Sequence, residues 1–255
     1  MRKSKFLAII SLILACVMIV SGLQIWKTLS IYYTSDRVYA DLRPAETASQ
    51  PAADSSLSSE EADTACNPAV DFTKLKKINP DLVGWIYLPD TKINYPIVQG
   101  SDNTYYLQHL FTKEKNRAGC IFLDSRNSSG FSDLHSILYG HHMKNIAMFS
   151  ELEHYEKQSF YDAHPVVWIL TPDKNYQLQL FSGYITKESA NAWQLFSTSE
   201  EESAWITETI QQSAFQSPVT PKAGDPIVTL STCSYDFENA RFVLHGVLTK
   251  DPPQT

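Results

Sequence analysis

The sequence Thr229-Leu230-Ser231-Thr232-Cys233 is followed, eight residues after the cysteine, by Arg241. The apolar run at 226–232 predicts one β-strand, and the run at 241–248 predicts another after a short loop. Strands joined by so short a loop usually pair as an antiparallel hairpin, so we expect Cys233 and Arg241 to be close neighbours. A thiol beside a permanent cation is a candidate nucleophile, because the positive charge favours the thiolate and stabilises a developing oxyanion.

The stretch Tyr139-Gly140-His141-His142 can supply the base that such a nucleophile needs. Arg241 cannot act as that base, because its guanidinium stays protonated. A neutral imidazole at His141 can take the thiol proton as Cys233 attacks a peptide carbonyl, and can return it to the departing amine. The first product of this reaction is a thioester, which either an incoming amine or water then resolves.

These motifs together resemble the sortases, the cysteine transpeptidases of Gram-positive cell surfaces. The resemblance extends from about residue 71 to residue 250, and its phrases are similar to those of class B members in particular. The strongest phrases are Ile93-Asn94-Tyr95-Pro96-Ile97-Val98-Gln99-Gly100, Asp102-Asn103-Thr104-Tyr105-Tyr106-Leu107, Ala118-Gly119-Cys120-Ile121-Phe122-Leu123-Asp124 and Tyr139-Gly140-His141-His142-Met143. The resemblance implies a catalytic triad in which His141 is the base, Cys233 the nucleophile and Arg241 the group that binds and stabilises the reacting carbonyl.

A substrate groove is expected beside the nucleophile. Alternation along the strand places Ser231 on the same face as Cys233, so Ser231 is a candidate substrate contact. The resemblance implies that Asn103 and Leu107, from the Asp-Asn-x-x-Tyr-Leu phrase, lie along the same groove. It also implies a place there for Tyr139, just before the histidine.

The triad has alternatives within the sequence. A cysteine at a strand end is more often a packing residue, and Arg241 alone could be a surface charge or pair with an acidic neighbour. His245 is the best rival to His141, because it shares the face of Arg241 at a period of two. His142 should project the other way if its strand continues. The remaining histidines, which lie outside the family phrase, are His109, His135, His154 and His164.

The composition narrows the class of protein. The chain has 255 residues, of which 43% are hydrophobic, and this is ample for a sizeable core. Its net charge of −7, without a basic run beyond the N-terminus, argues against nucleic acid as a partner. No Cys-x-x-Cys motif suggests zinc, and nothing resembles the acidic calcium-binding cluster of some class A sortases. We therefore predict no metal and no cofactor.

A membrane anchor is expected at the N-terminus. The basic residues Arg2, Lys3 and Lys5 precede an uncharged apolar run at 6–23, and Trp26-Lys27 closes the segment. About 20 apolar residues span a bilayer, and the basic flank should stay in the cytoplasm. The rest of the chain is then extracytoplasmic, carried by a single-pass anchor.

Two other interpretations fit this segment less well. A cleaved signal peptide should end in small residues of the Ala-x-Ala type, and no convincing site of this kind follows the apolar run. The stretch 12–16, Leu-Ile-Leu-Ala-Cys, faintly resembles a lipoprotein cleavage site. However, the apolar run continues through residues 17–20, where a mature lipoprotein would normally turn polar.

The four cysteines suggest no disulfide framework, because their spacing and surroundings differ. Cys16 lies in the predicted membrane span, and Cys66 lies in a polar linker where no role is evident. Cys120 is most simply a small buried hydrophobe within a predicted strand. Only Cys233 has neighbours that indicate chemistry.

The chain divides into four predicted parts. Residues 43–65 are rich in Ala, Ser, Glu and Asp, which is typical of a disordered tether. The parts are a cytoplasmic flank and transmembrane anchor at 1–27, an extracytoplasmic stalk and linker at 28–70, a catalytic domain at 71–250 and a tail at 251–255.

Many short strands and few helices favour a mainly β fold, either a barrel or a sandwich. One helix is predicted at 71–78 and a longer one at 199–215, where Ser199 and Glu202 fit a capping box. The sortase resemblance implies an eight-stranded barrel with an N-terminal helix and a long helix before the cysteine strand. The predicted strands are 84–88, 93–98, 120–123, 136–139, 166–170, 177–185, 226–232 and 241–248.

We therefore expect a membrane-anchored cysteine transpeptidase that cleaves a C-terminal sorting signal of the Asn-Pro-x-Thr type in a surface protein. The acceptor would be a cell-wall amine, from peptidoglycan or a lipid-linked precursor, or a pilin lysine. One rival hypothesis is a hydrolytic cysteine protease, in which water resolves the thioester. Another is a catalytically silent surface-binding domain, although the presence of all three triad residues counts against it.

Overall fold

Eight β-strands close into a barrel in the computed structural model, which describes residues 2–44, 68–196 and 198–250. The strands are β1 Leu82–Tyr87, β2 Asn94–Val98, β3 Ile121–Leu123, β4 His135–Tyr139, β5 Val166–Leu170, β6 Asn175–Lys187, β7 Ile227–Cys233 and β8 Ala240–Lys250. Around the barrel they follow the order β1, β2, β3, β4, β7, β8, β6, β5. The closed barrel confirms the predicted fold class, and closure leaves none of its strands with an unpaired edge.

The described residues also form four α-helices: α1 Arg2–Leu42, α2 Phe72–Ile78, α3 Gln158–Ala163 and α4 Ser199–Gln212. Helix α2 begins one residue after its predicted start, because Asp71 is its N-cap and the Asp71 carboxylate accepts a hydrogen bond from the backbone N–H of Lys74 at 2.9 Å. Helix α3 and the 3₁₀ helices at Tyr105–Leu107, Ser150–Glu156 and Asn191–Trp193 were not predicted. They are too short for an apolar period to be visible in the sequence.

The start of α4 differs from the predicted capping box. Thr198, and not Ser199, is the N-cap, and its hydroxyl accepts a hydrogen bond from the N–H of Glu201 at 3.2 Å. Glu202 does not reach back to the cap. Its side chain is buried and accepts a hydrogen bond from the N–H of Gly224 at 2.6 Å, in the loop before β7. The contact of Glu202 with Gly224 therefore takes the place of the predicted contact between Glu202 and the helix cap.

The strand pairing that matters most for the site is between β4 and β7, which are parallel neighbours. Parallel neighbours end at the same rim of a sheet. The register pairs Tyr139 with Ser231, and the N–H of Gly140 extends the ladder by donating to the Ser231 carbonyl at 3.1 Å. On the other side, β8 runs antiparallel to β7.

The two faces of β7 meet different parts of the molecule. Val228 and Leu230 point into the main core inside the barrel. Ile227 lies on the opposite face, in a second apolar cluster with Trp205 and Ile206 of α4. Helix α4 therefore covers part of the outer face of the barrel, and the face that carries Ser231 and Cys233 is this outer face.

At the N-terminus, the apolar run at 6–23 and the first part of the predicted stalk at 28–70 belong to one unbroken helix, α1, which ends at Leu42. Within the described part of the chain, the segment Ile10–Leu42 has the length and composition to cross a membrane. The predicted linker lies, from residue 45 onward, outside the described residues, and so does Cys66. Cys120 is buried, as expected, and burial raises the pKa of its thiol to about 12.

Candidate active site

All seven residues that the sequence singled out line one cavity of about 660 Å³ at the rim where β4 and β7 end. They are Asn103, Leu107, Tyr139, His141, Ser231, Cys233 and Arg241. The structure therefore brings together residues from both halves of the barrel domain. Their roles in catalysis and binding stay predictions.

Cys233 and Arg241 are direct register partners across the β7–β8 hairpin, which confirms that they are close neighbours. One guanidinium nitrogen of Arg241, Nη1, donates to the Ala240 carbonyl at 3.0 Å. The other, Nη2, lies 3.1 Å from a carboxylate oxygen of Glu188, whose side chain is 61% exposed. An ion pair this exposed is weak, so a substrate carbonyl can compete with Glu188 for the guanidinium.

The His141 ring is oriented by the backbone of Leu107. The ring nitrogen Nε2 lies 2.7 Å from the Leu107 carbonyl oxygen. A carbonyl can only accept a hydrogen bond, so Nε2 carries the proton, and the lone pair of the neutral ring is at Nδ1. Of the two ring nitrogens, Nδ1 is therefore the one that can accept a proton from a nucleophile.

The other histidines do not reach the cavity. His245 is fully buried, and its Nδ1 lies 2.7 Å from the Thr229 hydroxyl, four residues before Cys233. Nδ1 of His142 lies 3.2 Å from the Glu153 carboxylate, outside the cavity lining. His141 is thus the one histidine of the described residues that lines the cavity.

Two glycines lie in tightly packed positions near His141, one against its ring and one just before it in the chain. Gly119 has a φ of +61°, and a Cβ at this position would lie 2.5 Å from the Tyr106 carbonyl oxygen and 3.1 Å from Cδ2 of His141. A Cβ on Gly140 would lie 2.5 Å from the side chain of Ile121. Both positions need a residue without a side chain, because backbone oxygens and the His141 ring crowd Gly119, and the side chains of Ile121 and Phe149 crowd Gly140.

A second guanidinium, on Arg126, lines the cavity, and the sequence analysis did not identify it. Its Nε and Nη2 form a paired contact with the fully buried Asp124 carboxylate at 2.9 and 2.8 Å. The Tyr139 hydroxyl donates to the same carboxylate at 3.0 Å. Burial alone would raise the pKa of Asp124, but the hydrogen bonds from Arg126 and its neighbours outweigh it and lower the pKa to about 2.

The Asp124 carboxylate therefore stays charged and holds both Arg126 and Tyr139 against the cavity. The nearby Asn103 side chain is held as well, because its Oδ1 accepts a hydrogen bond from the Ser125 N–H at 2.8 Å. Sequence reasoning had a partial signal here, because Asp124 ends one of the family phrases. Arg126 follows two residues later and was passed over.

The segment 190–194 forms the far wall of the cavity, and two hydrogen bonds attach it to the barrel. The indole N–H of Trp193 donates to the Ser231 hydroxyl at 3.0 Å. The Gln194 carbonyl oxygen lies 2.6 Å from Nδ1 of the buried His135. Ser231 is thus engaged as an acceptor, and its own O–H proton is left to donate towards the cavity.

The buried His135 belongs to a chain of hydrogen bonds whose proton positions can be assigned. Its Nδ1 must donate to the Gln194 carbonyl, so its Nε2 accepts from the Thr229 hydroxyl, 2.6 Å away. That hydroxyl oxygen then accepts from His245 at 2.7 Å. Burial lowers the pKa of His135 to about 4, which keeps the ring neutral and the chain intact at neutral pH.

The sequence is similar to a known protein family and to two of its members. A family model described as the Sortase domain matches residues 86–249. Sortase B of Listeria monocytogenes is 39% identical over 184 residues, which cover 70% of this chain and 74% of the relative. Sortase B of Staphylococcus aureus is 34% identical over 253 residues, which cover 98% of this chain and 99% of the relative.

Among solved structures, a Staphylococcus aureus sortase B–substrate complex superposes with a TM-score of 0.67. Its sequence is 38% identical, and the superposition covers 71% of this chain and 85% of that chain. The agreement therefore extends to most of the barrel domain described above.

Proposed function

The chain belongs to the sortase B family of cysteine transpeptidases, and from this we propose that Cys233, His141 and Arg241 carry out the transfer reaction in this protein. The observation that carries the proposal is the strand register. Cys233 is paired with Arg241, and the parallel pairing of β4 with β7 directs His141 to the same rim. The three groups then line a single cavity.

In the first half of the proposed reaction, the Cys233 thiol gives its proton to Nδ1 of His141 as the sulfur attacks the scissile carbonyl carbon. The Arg241 guanidinium stabilises the negative oxygen that forms. The carbon–nitrogen bond then breaks, and His141 returns the proton to the departing amine. A thioester remains between Cys233 and the N-terminal part of the substrate.

In the second half, an incoming amine attacks the thioester and loses a proton to His141. The Cys233 sulfur leaves and recovers that proton, and a new amide bond has formed. Water in place of the amine would give a free acid, which is the outcome of the protease hypothesis. Membership of a transpeptidase family favours transfer over both hydrolysis and a silent binding domain.

We propose that the substrate is a surface protein with a C-terminal sorting signal of the Asn-Pro-x-Thr type. The cavity has polar groups suited to a peptide, with Asn103, Ser231 and Tyr139 around it and an apolar surface at Leu107. The acceptor would be an amine of peptidoglycan or its lipid-linked precursor, or a pilin lysine. Helix α1 would anchor the enzyme in the cell membrane, with the barrel on the extracytoplasmic side.

The experiment that tests the proposal uses the full chain in detergent with a quenched Asn-Pro-Gln-Thr-Asn peptide and triglycine. Products are identified by mass spectrometry beside the Cys233→Ala protein. We expect cleavage that depends on Cys233 and a product that carries triglycine. Free acid alone, across several amines, would support the protease hypothesis. An equally active Cys233→Ala protein would overturn the catalytic assignment.

A further inference from the structure

The two halves of helix α1 have different surroundings. Side chains in the apolar run, such as Leu12 and Ile19, are exposed, as expected of a segment that would face lipid. In the outer half, Ser35 and Tyr39 are only 1% and 2% exposed. The partly buried Val38 and Leu42 pack against the main core of the barrel domain, and this spacing of three and four residues defines one face of a helix.

The outer half of α1, which docks on the barrel domain, contacts the loop at residues 116–119 at two points. The Tyr39 hydroxyl donates to the Gly119 carbonyl oxygen at 2.6 Å, within a buried contact. The Asn116 side-chain amide donates to the Ile31 carbonyl at 3.2 Å. Two further hydrogen bonds lie on other segments of the domain: the Asn145 amide donates to the Asp36 carboxylate, and the Arg43 guanidinium donates to the Lys92 carbonyl.

The opposite side of the same loop supports the proposed base. The close approach of Gly119 to the His141 ring and to the carbonyl oxygens of Tyr106 and Leu107 leaves no room for even a methyl group. The N–H of Cys120, the next residue, donates to the Tyr106 carbonyl at 3.0 Å. Leu107 is the residue whose carbonyl orients the His141 ring. A shift of the loop would therefore move both the ring and its hydrogen-bond partner.

We propose that residues 31–42 of α1 belong to the catalytic domain and support its active site. In this proposal, Tyr39 is a positioning residue for His141. The inference rests on the proposed role of His141 as the base. Tyr39 acts through Gly119 and touches no reacting atom. The part of α1 that would emerge from the membrane is then the same part that supports the active site.

The same contacts determine how far the barrel lies from the bilayer. A helix rises about 1.5 Å per residue, so residues 24–30 place the docked segment roughly 10 Å beyond the apolar run. Leu42 at one end of the segment 45–67, and Val70 at the other, both pack against the barrel core. In a membrane-anchored chain, α1 would therefore determine the distance between the membrane and the active site. The segment 45–67 would not set this distance, because α1 and the barrel domain, which it joins, already pack against each other.

The test compares two single-atom changes on the same helix in the full chain. Tyr39→Phe removes only the hydroxyl that donates to Gly119, whereas Tyr33→Phe removes a hydroxyl from a side chain that is 71% exposed. We expect Tyr39→Phe to lower kcat for peptide cleavage by about 3- to 10-fold while KM stays within about twofold, because misplacement of a catalytic group affects the chemical step. Tyr33→Phe should leave both constants unchanged.

A second readout needs no sorting peptide. The rate at which iodoacetamide alkylates Cys233 is followed by peptide mass from about pH 6 to about pH 9, since the thiolate is the reacting form. We expect His141→Asn to slow the alkylation of Cys233 at neutral pH, and Tyr39→Phe to slow it by a smaller factor. A Tyr39→Phe protein with unchanged kcat and an unchanged alkylation profile, even one with a lower Tm, would overturn the inference.

The alkylation readout also separates this inference from the proposed function. If His141→Asn alters the Cys233 profile and Tyr39→Phe does not, only the role of Tyr39 is wrong. If His141→Asn leaves the profile unchanged, the assignment of His141 as the base is wrong, and the role of Tyr39 is wrong with it.

Discussion

Tyr139 and Ser231 are register partners on the parallel strands β4 and β7, although 92 residues separate them in the chain. His141 and Cys233 each follow two residues after this pair, so both leave the barrel at the same rim. On the far side of β7, the antiparallel hairpin adds Arg241 opposite Cys233. Backbone hydrogen bonds between strands therefore assemble the candidate site, and few side-chain contacts are needed to bring its parts together.

The geometry of Arg241 leads to the first prediction. Arg241→Lys keeps the charge but loses the planar fork of donors, so it should lower kcat/KM by about 10²- to 10³-fold. Glu188→Gln is the matched control, because it removes the negative charge of the exposed partner of the guanidinium and leaves Arg241 in place. It should change kcat/KM less than about threefold. The measurement is steady-state peptide cleavage, and equal activity of the lysine variant would contradict the oxyanion role.

The close approach at Gly119 leads to the second prediction. In Gly119→Ala the new methyl group would lie 3.1 Å from the His141 ring and 2.5 Å from a backbone oxygen, at a φ of +61°. We expect kcat to fall by about 10²-fold or more, since the ring must move. In Gly130→Ala the methyl group meets nothing within 4 Å, so this variant should keep wild-type activity. A fully active Gly119→Ala protein would show that the ring position is not critical.

The wall of the cavity leads to the third prediction. Trp193→Phe removes the indole N–H that donates to Ser231, so the wall should loosen and KM should rise by about 3- to 10-fold. Because the reacting groups are untouched, kcat should stay within about twofold. A double-mutant cycle with Ser231→Ala isolates the contact. Additive effects in the cycle would indicate that the two side chains bind substrate independently.

The buried His135 leads to the fourth prediction, on stability and pH. Its pKa is about 4 in the folded protein and about 6.5 when unfolded, so the unfolded chain binds more protons between these values. The contribution of His135 to stability is complete above about pH 6.5 and is lost as the pH falls towards 4. The free energy of unfolding should drop by about 3 kcal/mol across this window.

The measurement for this prediction is urea unfolding at several pH values for the wild type and for His135→Gln. Burial lowers the pKa of His245 as well, so some loss of stability at low pH should persist in the variant. The slope between about pH 6.5 and pH 4 should nevertheless be smaller in His135→Gln. Parallel curves for the two proteins would show that His135 does not titrate in this range.

Most of the strands could be predicted from the sequence, because each carries a run of apolar and β-branched residues bounded by turn residues. Strand β5 has the same bounds as its prediction, and the other strand boundaries moved by a few residues. The N-cap of α4 was displaced by one residue, since Thr198 and Ser199 are equally able to cap and the choice depended on the buried contact of Glu202 with Gly224.

The candidate site could be predicted only in part. His141, Cys233 and Arg241 stand in phrases whose residue types indicate their chemistry. The sequence did not reveal the side chains that support the site, because each of them contacts a residue that is remote in the chain. Tyr39 is 80 residues from Gly119, and Trp193 is 38 residues from Ser231. Arg126 was missed for another reason, since a single arginine in a loop is usually a solvated charge.

The residue types and their local spacing determined by themselves the mainly β character of the chain, the candidate nucleophile and the apolar N-terminal helix. Local spacing suffices for these because a strand period, a charge beside a thiol and an uncharged run are properties of neighbouring residues. Only the tertiary structure decided which histidine lines the cavity with Cys233, and that the outer half of α1 docks against the loop that contacts His141. Those outcomes depend on register and packing between segments far apart in the chain, where one residue of slip reverses every side chain.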